Sequence, residues 1–264
     1  MSNRVVLVTG SASGIGEATA AVFVERGWRV FGTSRSARAH PNVTMLPLDV
    51  RDAAAARACL AEVEAQAGHL DVLVNNAGAM LFGPVEEVPL DAAHDLFETN
   101  FWGVANMVNA ALPAMRRRRR GHLVNIGSIA GRTAIPLNGF YAATKHALAG
   151  YTEALRHEVA ALGIQVALIE PADFRTRLWE RAAPVPPKFD GYAGLRASVV
   201  RAVSAALARA PEPAAVATRI VAVAESDAPG LRHPVGAWAR ALPHMKTWMP
   251  EAMFEAGMRR RFVR

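Results

Sequence analysis

Val5–Val8 is a strand candidate with no polar position, and it runs directly into Thr9-Gly10-Ser11-Ala12-Ser13-Gly14-Ile15-Gly16 and then a helical pattern that Gly27 closes. A strand with water on one side alternates polar and apolar residues, whereas one that is apolar throughout needs cover on both faces, as inside a parallel sheet. Further short runs follow at Arg29–Gly32, Val43–Pro47, Val72–Asn75, Leu123–Ile126 and Gln165–Ile169, with longer helical patterns between them. Strands and helices in alternation specify a parallel sheet, because each crossover must span a sheet face. The expected architecture is α/β: a single Rossmann-type, doubly wound parallel sheet of about seven strands.

A chain of 264 residues is long enough for one such domain, and 52% hydrophobic against 20% charged residues excludes a disordered polymer. Cys59 is the sole cysteine, so no intramolecular disulfide can form, and no Cys/His cluster has the spacing of a structural zinc site. No metal is expected. No apolar stretch approaches the roughly 20 residues that cross a bilayer, and Val5–Val8 begins too early for a signal peptide to precede it. These features lead to the expectation of a cytoplasmic protein with no membrane partner. A formal net charge of +7 admits anionic ligands without selecting one.

Phe97, Phe101, Val104, Val108, Ala111 and Met115 recur every three or four residues, which marks one buried helix face, packed on the sheet or on a second subunit. A second long helix is expected from Tyr141 to about Leu162, ended by Gly163. Between them, Arg116–Arg120 reads as a solvated turn rather than a nucleic-acid contact, because no aromatic residues are interleaved for base stacking. After Pro171 the pattern loosens through Pro184, Pro186 and Pro187, then Leu195–Ala210 turns helical again. Residues from about 172 to 210 therefore read as a lid and substrate-binding segment, and those from about 237 to 264 as a C-terminal extension, within a single domain over 1–264.

The glycine turn points to a ligand. At a strand-to-helix turn, glycines permit tight backbone geometry and the close approach of a pyrophosphate, whose charge is favoured at the helix N-terminus. The spacing here is Gly-three-Gly-one-Gly, which differs from the common dinucleotide fingerprint. At the end of the second strand an acidic residue would bond a ribose 2′-hydroxyl and repel a 2′-phosphate. This chain instead reads Thr33-Ser34-Arg35, with the guanidinium 19 residues after Gly16. Arginine is a charge-assisted partner for phosphate, so NADP(H) is expected over NAD(H), with NAD(H) as the alternative.

Four downstream residues carry candidate chemistry: Asn100, Ser128, Tyr141 and Lys145. Tyr141 and Lys145 are four apart and share a helix face, where an ammonium would stabilise the phenolate and lower its pKa. Ser128 follows the Leu123–Ile126 strand, at the carboxyl end where open parallel sheets hold their ligands. Singly, each has an ordinary explanation: a chance Tyr-x-x-x-Lys, a serine bonded to its turn, an asparagine that caps or kinks a helix.

Taken together, Thr9–Gly16, Asn75-Asn76-Ala77-Gly78, Asn100, Ser128 and Tyr141-Ala142-Ala143-Thr144-Lys145 resemble, in order and spacing, the short-chain dehydrogenase/reductase family; the matches run from Thr9 through Thr176. The resemblance implies an oxidoreductase that interconverts an alcohol and a ketone or aldehyde by hydride transfer with a nicotinamide cofactor. It implies Tyr141 as general acid/base, Lys145 lowering its pKa and holding the nicotinamide ribose, Ser128 positioning the substrate oxygen, and Asn100 supporting a proton relay through water and Lys145. It also implies a cofactor site built from Gly10, Ser11, Ser13, Gly14, Ile15, Gly16, Arg35, Asp49, Val50, Asn76, Ala77, Gly78, Pro171, Phe174 and Thr176. Where the family has Pro-Gly beside the nicotinamide, this chain has Pro171-Ala172. Leu231–Gly236 followed by nearly 30 more residues, with Thr33-Ser34-Arg35, resembles the subgroup of 17β-hydroxysteroid and retinol dehydrogenases. A homo-oligomer, dimer or tetramer, is implied through the helices after Leu96 and Tyr141.

A hydrophobic small-molecule substrate is expected from Phe174, Leu178, Trp179, Phe189, Tyr192 and Leu195 in the lid, with Met80, Leu81 and Phe82 as an opposite wall. Two rivals differ in chemistry. Sugar-nucleotide epimerases and dehydratases share the Tyr and Lys but usually carry another glycine spacing and a longer C-terminal domain. A non-catalytic NADP(H) sensor or nucleic-acid binder on the same fold would have no reason to carry all four catalytic candidates.

Overall fold

The computed structural model describes residues 4–36, 40–172, 174–175, 178–179 and 182–263. In chain order the elements are β1 (Val5–Val8), α1 (Gly14–Glu25), β2 (Arg29–Ser34), β3 (Val43–Pro47), α2 (Ala53–Ala67), β4 (Val72–Asn75), β5 (Leu81–Phe82), α3 (Leu90–Phe97), α4 (Gly103–Arg118), β6 (Gly121–Ile126), α5 (Gly139–Val159), β7 (Ile164–Pro171), β8 (Ala183–Pro184), α6 (Ala193–Ala208), α7 (Ala214–Ala224), β9 (Arg232–Val235), α8 (Ala237–Trp248) and α9 (Glu251–Phe262). Seven strands form one parallel sheet in the order β3-β2-β1-β4-β6-β7-β9, and β5 pairs with β8 in a separate two-stranded sheet. The fold is the expected Rossmann-type doubly wound sheet.

The scarcity of polar positions in the central strands follows from the two cores. Leu7, Phe31, Leu73, Leu123 and Leu168 pack on one face beneath α2, α4 and α5. Val6, Val30, Val74, Val124 and Ile169 pack on the other, beneath α1 and α7. Each strand therefore buries both its odd and its even positions. The seventh strand, β9, is short and partly exposed, with Pro234 inside it. Proline is tolerated there because β9 is an edge strand, so one of its sides needs no ladder donor.

The Phe97–Met115 stripe is helical but not one regular helix. A five-residue π-turn, Glu98–Trp102, joins α3 to α4, and such single π-turns recur at functional sites. Helix α5 begins two residues before Tyr141 and passes through a 3-10 turn to Gly163 at φ 74°. The arginine run ends α4 at the far end of β6 from Ser128. Arg118 donates to Leu70 O and Asp71, and Arg119 adopts φ 50° and donates to Ala161 O. At least two of the five arginines thus hold a turn together.

Candidate active site

The sheet order reverses between β1 and β4, the switch point at whose carboxyl end open parallel sheets hold their ligands. A cavity of about 840 Å³ extends from Gly10, Gly14 and Arg35 at one end, past Ser128, Tyr141 and Lys145, to α8 and α9.

The first end is a backbone cradle. Gly10 and Gly14 sit at φ 66° and 62°, left-handed conformations that cost little only for glycine. A Cβ on Gly10 would lie 2.9 Å from Ala77 Cα, and one on Gly16 would lie 2.4 Å from both Gly10 O and Asn76 Nδ2. Asn76 stitches the crevice: its Nδ2 donates to Thr9 O and Gly10 O, while the Thr9 hydroxyl accepts from the Asn76 and Ala77 amides. Gly10, Ser13, Gly14, Ile15, Asn76, Ala77 and Gly78 line the cavity. Ser11 and Gly16 do not. Ser11 is fully buried, its amide donating to Thr33 O, and Gly16 packs beneath the loop. Both shape the turn from behind the cavity lining.

Arg35 lies exposed at the rim beside Ser34, Asp49, Val50 and Arg51. Asp49 is held by Arg51 at 2.6 Å; that pairing, opposed by burial and helped weakly by Arg35, keeps its carboxyl below the usual range. A phosphate at Arg35 would therefore meet a carboxylate already matched by a guanidinium. A glycine cradle at a helix N-terminus, ending at an exposed arginine with no ion pair among the described residues, fits an adenine dinucleotide.

At the other end, Ser128 follows β6 and Tyr141 and Lys145 lie one turn apart on α5. Tyr141 is 5% and Lys145 7% exposed. The Lys145 ammonium donates to Ile126 O at 2.9 Å and lies 5.7 Å from the Tyr141 ring centroid. Burial pushes Tyr141 up to about 12, against a smaller downward pull from the Ser128 hydroxyl, and burial pushes Lys145 down to about 8. Desolvation disfavours the charged form of both groups, and the ammonium is held by the Ile126 carbonyl. Ser128 also accepts from the Ala130 amide at 3.1 Å, which fixes its loop.

Asn100 sits in the π-turn and does not line the cavity. Its Oδ1 accepts from Ala79 N, and its Nδ2 donates to Ala79 O and to Thr144 Oγ1, the residue before Lys145. Its amide is committed to holding the β4 loop against α5. Asn75 ties the sheet together, donating to Asn125 Oδ1 at 2.9 Å, while Asn125 donates to Thr152 on α5. Pro171, Ala172 and Phe174 line the cavity. Ala172 is absent from the positive-φ positions, so its methyl fits the turn without backbone strain, and its amide donates to Val235 O. Thr176 lies outside the described residues.

Of the expected apolar wall, Met80, Leu178 and Trp179 line the cavity, and Phe82 stacks edge-on against Trp179. Phe189 is exposed and meets Tyr192 instead. Trp238, Leu242, Met245 and Met249 of α8 and the turn after it, with Met253 and Met258 of α9, complete the wall. None was among the sequence candidates, although Trp238, Leu242, Met245 and Met249 recur at four, three and four residues, a stripe that could have shown one face of α8. Among the described residues no cluster of acidic, His or Cys side chains could hold a metal, and no helix is long and apolar enough to cross a membrane.

Comparisons with known proteins agree with this geometry. The short chain dehydrogenase family profile matches residues 4–185. The chain is 34% identical over 263 residues to a 3-ketodihydrosphingosine reductase of Bacteroides thetaiotaomicron, covering 98% of each. It is 34% identical over 203 residues to human retinol dehydrogenase 8, covering 71% of this chain and 61% of that one. Among solved structures, a short-chain dehydrogenase from Streptomyces avermitilis superimposes with a TM-score of 0.85 at 34% identity over 98% of each chain. ElxO with NADP bound superimposes with a TM-score of 0.74 at 26% identity, over 88% of this chain and 96% of that one. The chain belongs to the short-chain dehydrogenase/reductase family, NAD(P)-dependent oxidoreductases acting on CH–OH groups.

Proposed function

We propose that this protein interconverts an alcohol and a ketone or aldehyde carrying an extended apolar arm, with NADP(H) as the preferred cofactor. The observation that carries the reading is a single cavity with the glycine cradle at one end, Ser128, Tyr141 and Lys145 in the middle, and an apolar wall at the other. The nicotinamide dinucleotide, when bound, supplies the two-electron redox chemistry. Gly10, Gly14, Ile15 and Asn76 would hold its pyrophosphate end, and Arg35 its 2′-phosphate. Tyr141 gives its hydroxyl proton to the carbonyl oxygen in reduction and takes the alcohol proton in oxidation. Ser128 bonds the same oxygen and orients it.

Lys145 works from below. Its ammonium, tethered to Ile126 O, favours the phenolate whenever it turns toward the tyrosine oxygen, offsetting the burial that otherwise keeps the phenol protonated. Asn100 is a positioning residue, acting through Thr144 and the Ala79 loop. The end-to-end relative named for 3-ketodihydrosphingosine supports a carbonyl substrate with a long apolar portion. Self-association through the α4–α5 face is part of the same reading, supported by Trp102, half exposed beside Phe101, which packs on Tyr151; light scattering reads it directly.

The test is a screen of NADPH oxidation and NADP reduction against long-chain ketones, steroids, retinoids and small cyclic ketones. Tyr141→Phe removes the transferable proton and is expected to lower turnover by at least about a hundredfold while nucleotide affinity holds. Near-normal turnover in that variant refutes the acid/base role. Arg35→Ala should erase the preference for NADPH over NADH; an unchanged ratio refutes its phosphate role.

A further inference from the structure

The helices that close the far end of the cavity carry a surface the proposed chemistry does not use. Trp248 is 82% exposed, Met253 53% and Trp238 48%. Trp238 and Met253 also line the cavity, so they form its rim. Trp248 does not line it and projects from the end of α8. Arg240, His244 and Trp248 follow at four-residue intervals on one face of α8, and Met253 and Arg260 are seven apart on α9, so both helices place exposed cations beside exposed apolar groups.

We infer that the α8–α9 pair docks on an anionic bilayer surface, with the cavity mouth opening onto it so that a lipid carbonyl reaches the site directly. Tryptophan and methionine beside arginine is the composition of an interfacial helix, whose apolar face enters the headgroup boundary while its cations meet lipid phosphates. The charges on this pair are Arg240, Arg259, Arg260 and Arg261 against Glu251 and Glu255, Lys246 being engaged with Arg132 O. Glu255 is matched by Arg259 at 3.1 Å, and Arg261 stacks over Trp238 at 5.1 Å, leaving a positive surface. A second copy would meet this surface with the same sign of charge, since a two-fold contact sets a patch against itself. An anionic bilayer complements it. The sequence expectation of no membrane partner rested on the lack of a spanning stretch, and surface docking requires none.

The delivery half rests on reading the cavity as a substrate site; the docking half does not. The experiment is co-sedimentation of the full chain with phosphatidylcholine vesicles, with and without phosphatidylglycerol, at low and high salt. Binding is expected to the anionic vesicles and to weaken as salt rises. Trp248→Glu, and separately Arg240→Gln with Arg260→Gln, should each lower the partition coefficient by roughly tenfold or more, while turnover of a water-soluble ketone stays at the wild-type value. Equal binding to both vesicle types, or none, overturns the proposal. So does sedimentation velocity showing that Trp248→Glu converts a dimer to a monomer without changing vesicle binding. Docking without turnover on any carbonyl would sink the proposed function and leave the docking intact.

Discussion

Gly16→Ala tests whether the turn after β1 is as tightly set as its geometry indicates. The added methyl would stand 2.4 Å from Gly10 O and from Asn76 Nδ2, closer than the 3.0 Å that real Cβ contacts respect, so each atom would have to retreat by about 0.6 Å. Neither is free to do so, because Asn76 Nδ2 already donates to Thr9 O and Gly10 O at 2.9 and 3.1 Å. Overpacking a site of this kind costs about 1–3 kcal/mol. For a chain of this size that lowers Tm by roughly 2–12 °C. The same displacement moves the wall of the nucleotide cradle, and ~1.4 kcal/mol lost there is a tenfold rise in Kd. Gly150→Ala is the internal control: it lies mid-helix in α5, and a Cβ there meets nothing within 4 Å. Relief of glycine's backbone entropy should stabilise that variant by about 0.5–1 kcal/mol with nucleotide affinity unchanged. Thermal unfolding by circular dichroism with NADPH titration by calorimetry reads both. If Gly16→Ala keeps the wild-type Tm and Kd, the cradle is softer than the contacts require and the reasoning fails.

Asp71 gives a pH-dependent prediction. Burial raises its carboxyl, but the Val5 amide, Arg118 and His69 together outweigh that and leave it below its ordinary value. A depressed folded pKa contributes stability above the unfolded value near 3.9, and that contribution is lost as pH falls through the folded pKa. Asp71→Asn should lose about 1–3 kcal/mol at neutral pH and show a shallower acid limb in urea titrations; an unchanged limb would assign acid sensitivity elsewhere. Cys59 lies on the buried face of α2, and burial pushes its thiol up to about 11. It should resist a disulfide reagent at neutral pH in the folded protein and react at once in denaturant, and rapid labelling of the native chain would contradict its placement.

The sheet was legible because its cause is local and repeated: several strands apolar nearly throughout announce cover on both faces, and the six runs named from sequence are six of the seven strands of the sheet. The seventh, Arg232–Val235, escaped because three of its four residues, Arg232, His233 and Pro234, carry no strand signal. The glycine turn and the Tyr141–Lys145 spacing were legible for the same reason, each being fixed by neighbours a few residues away. Four things were not. Ser11 and Gly16 turned out to support the cradle from behind, Asn100 to bind Ala79 and Thr144, Lys145 to point at Ile126 O, and α8 and α9 to close the cavity. Each depends on which of several nearby partners a polar group meets, or on where a helix more than 100 residues away comes to rest. Periodicity along a chain determines which face of an element is buried; the direction of a hydrogen bond and the far wall of a cavity are decided only when distant elements compete for the same space.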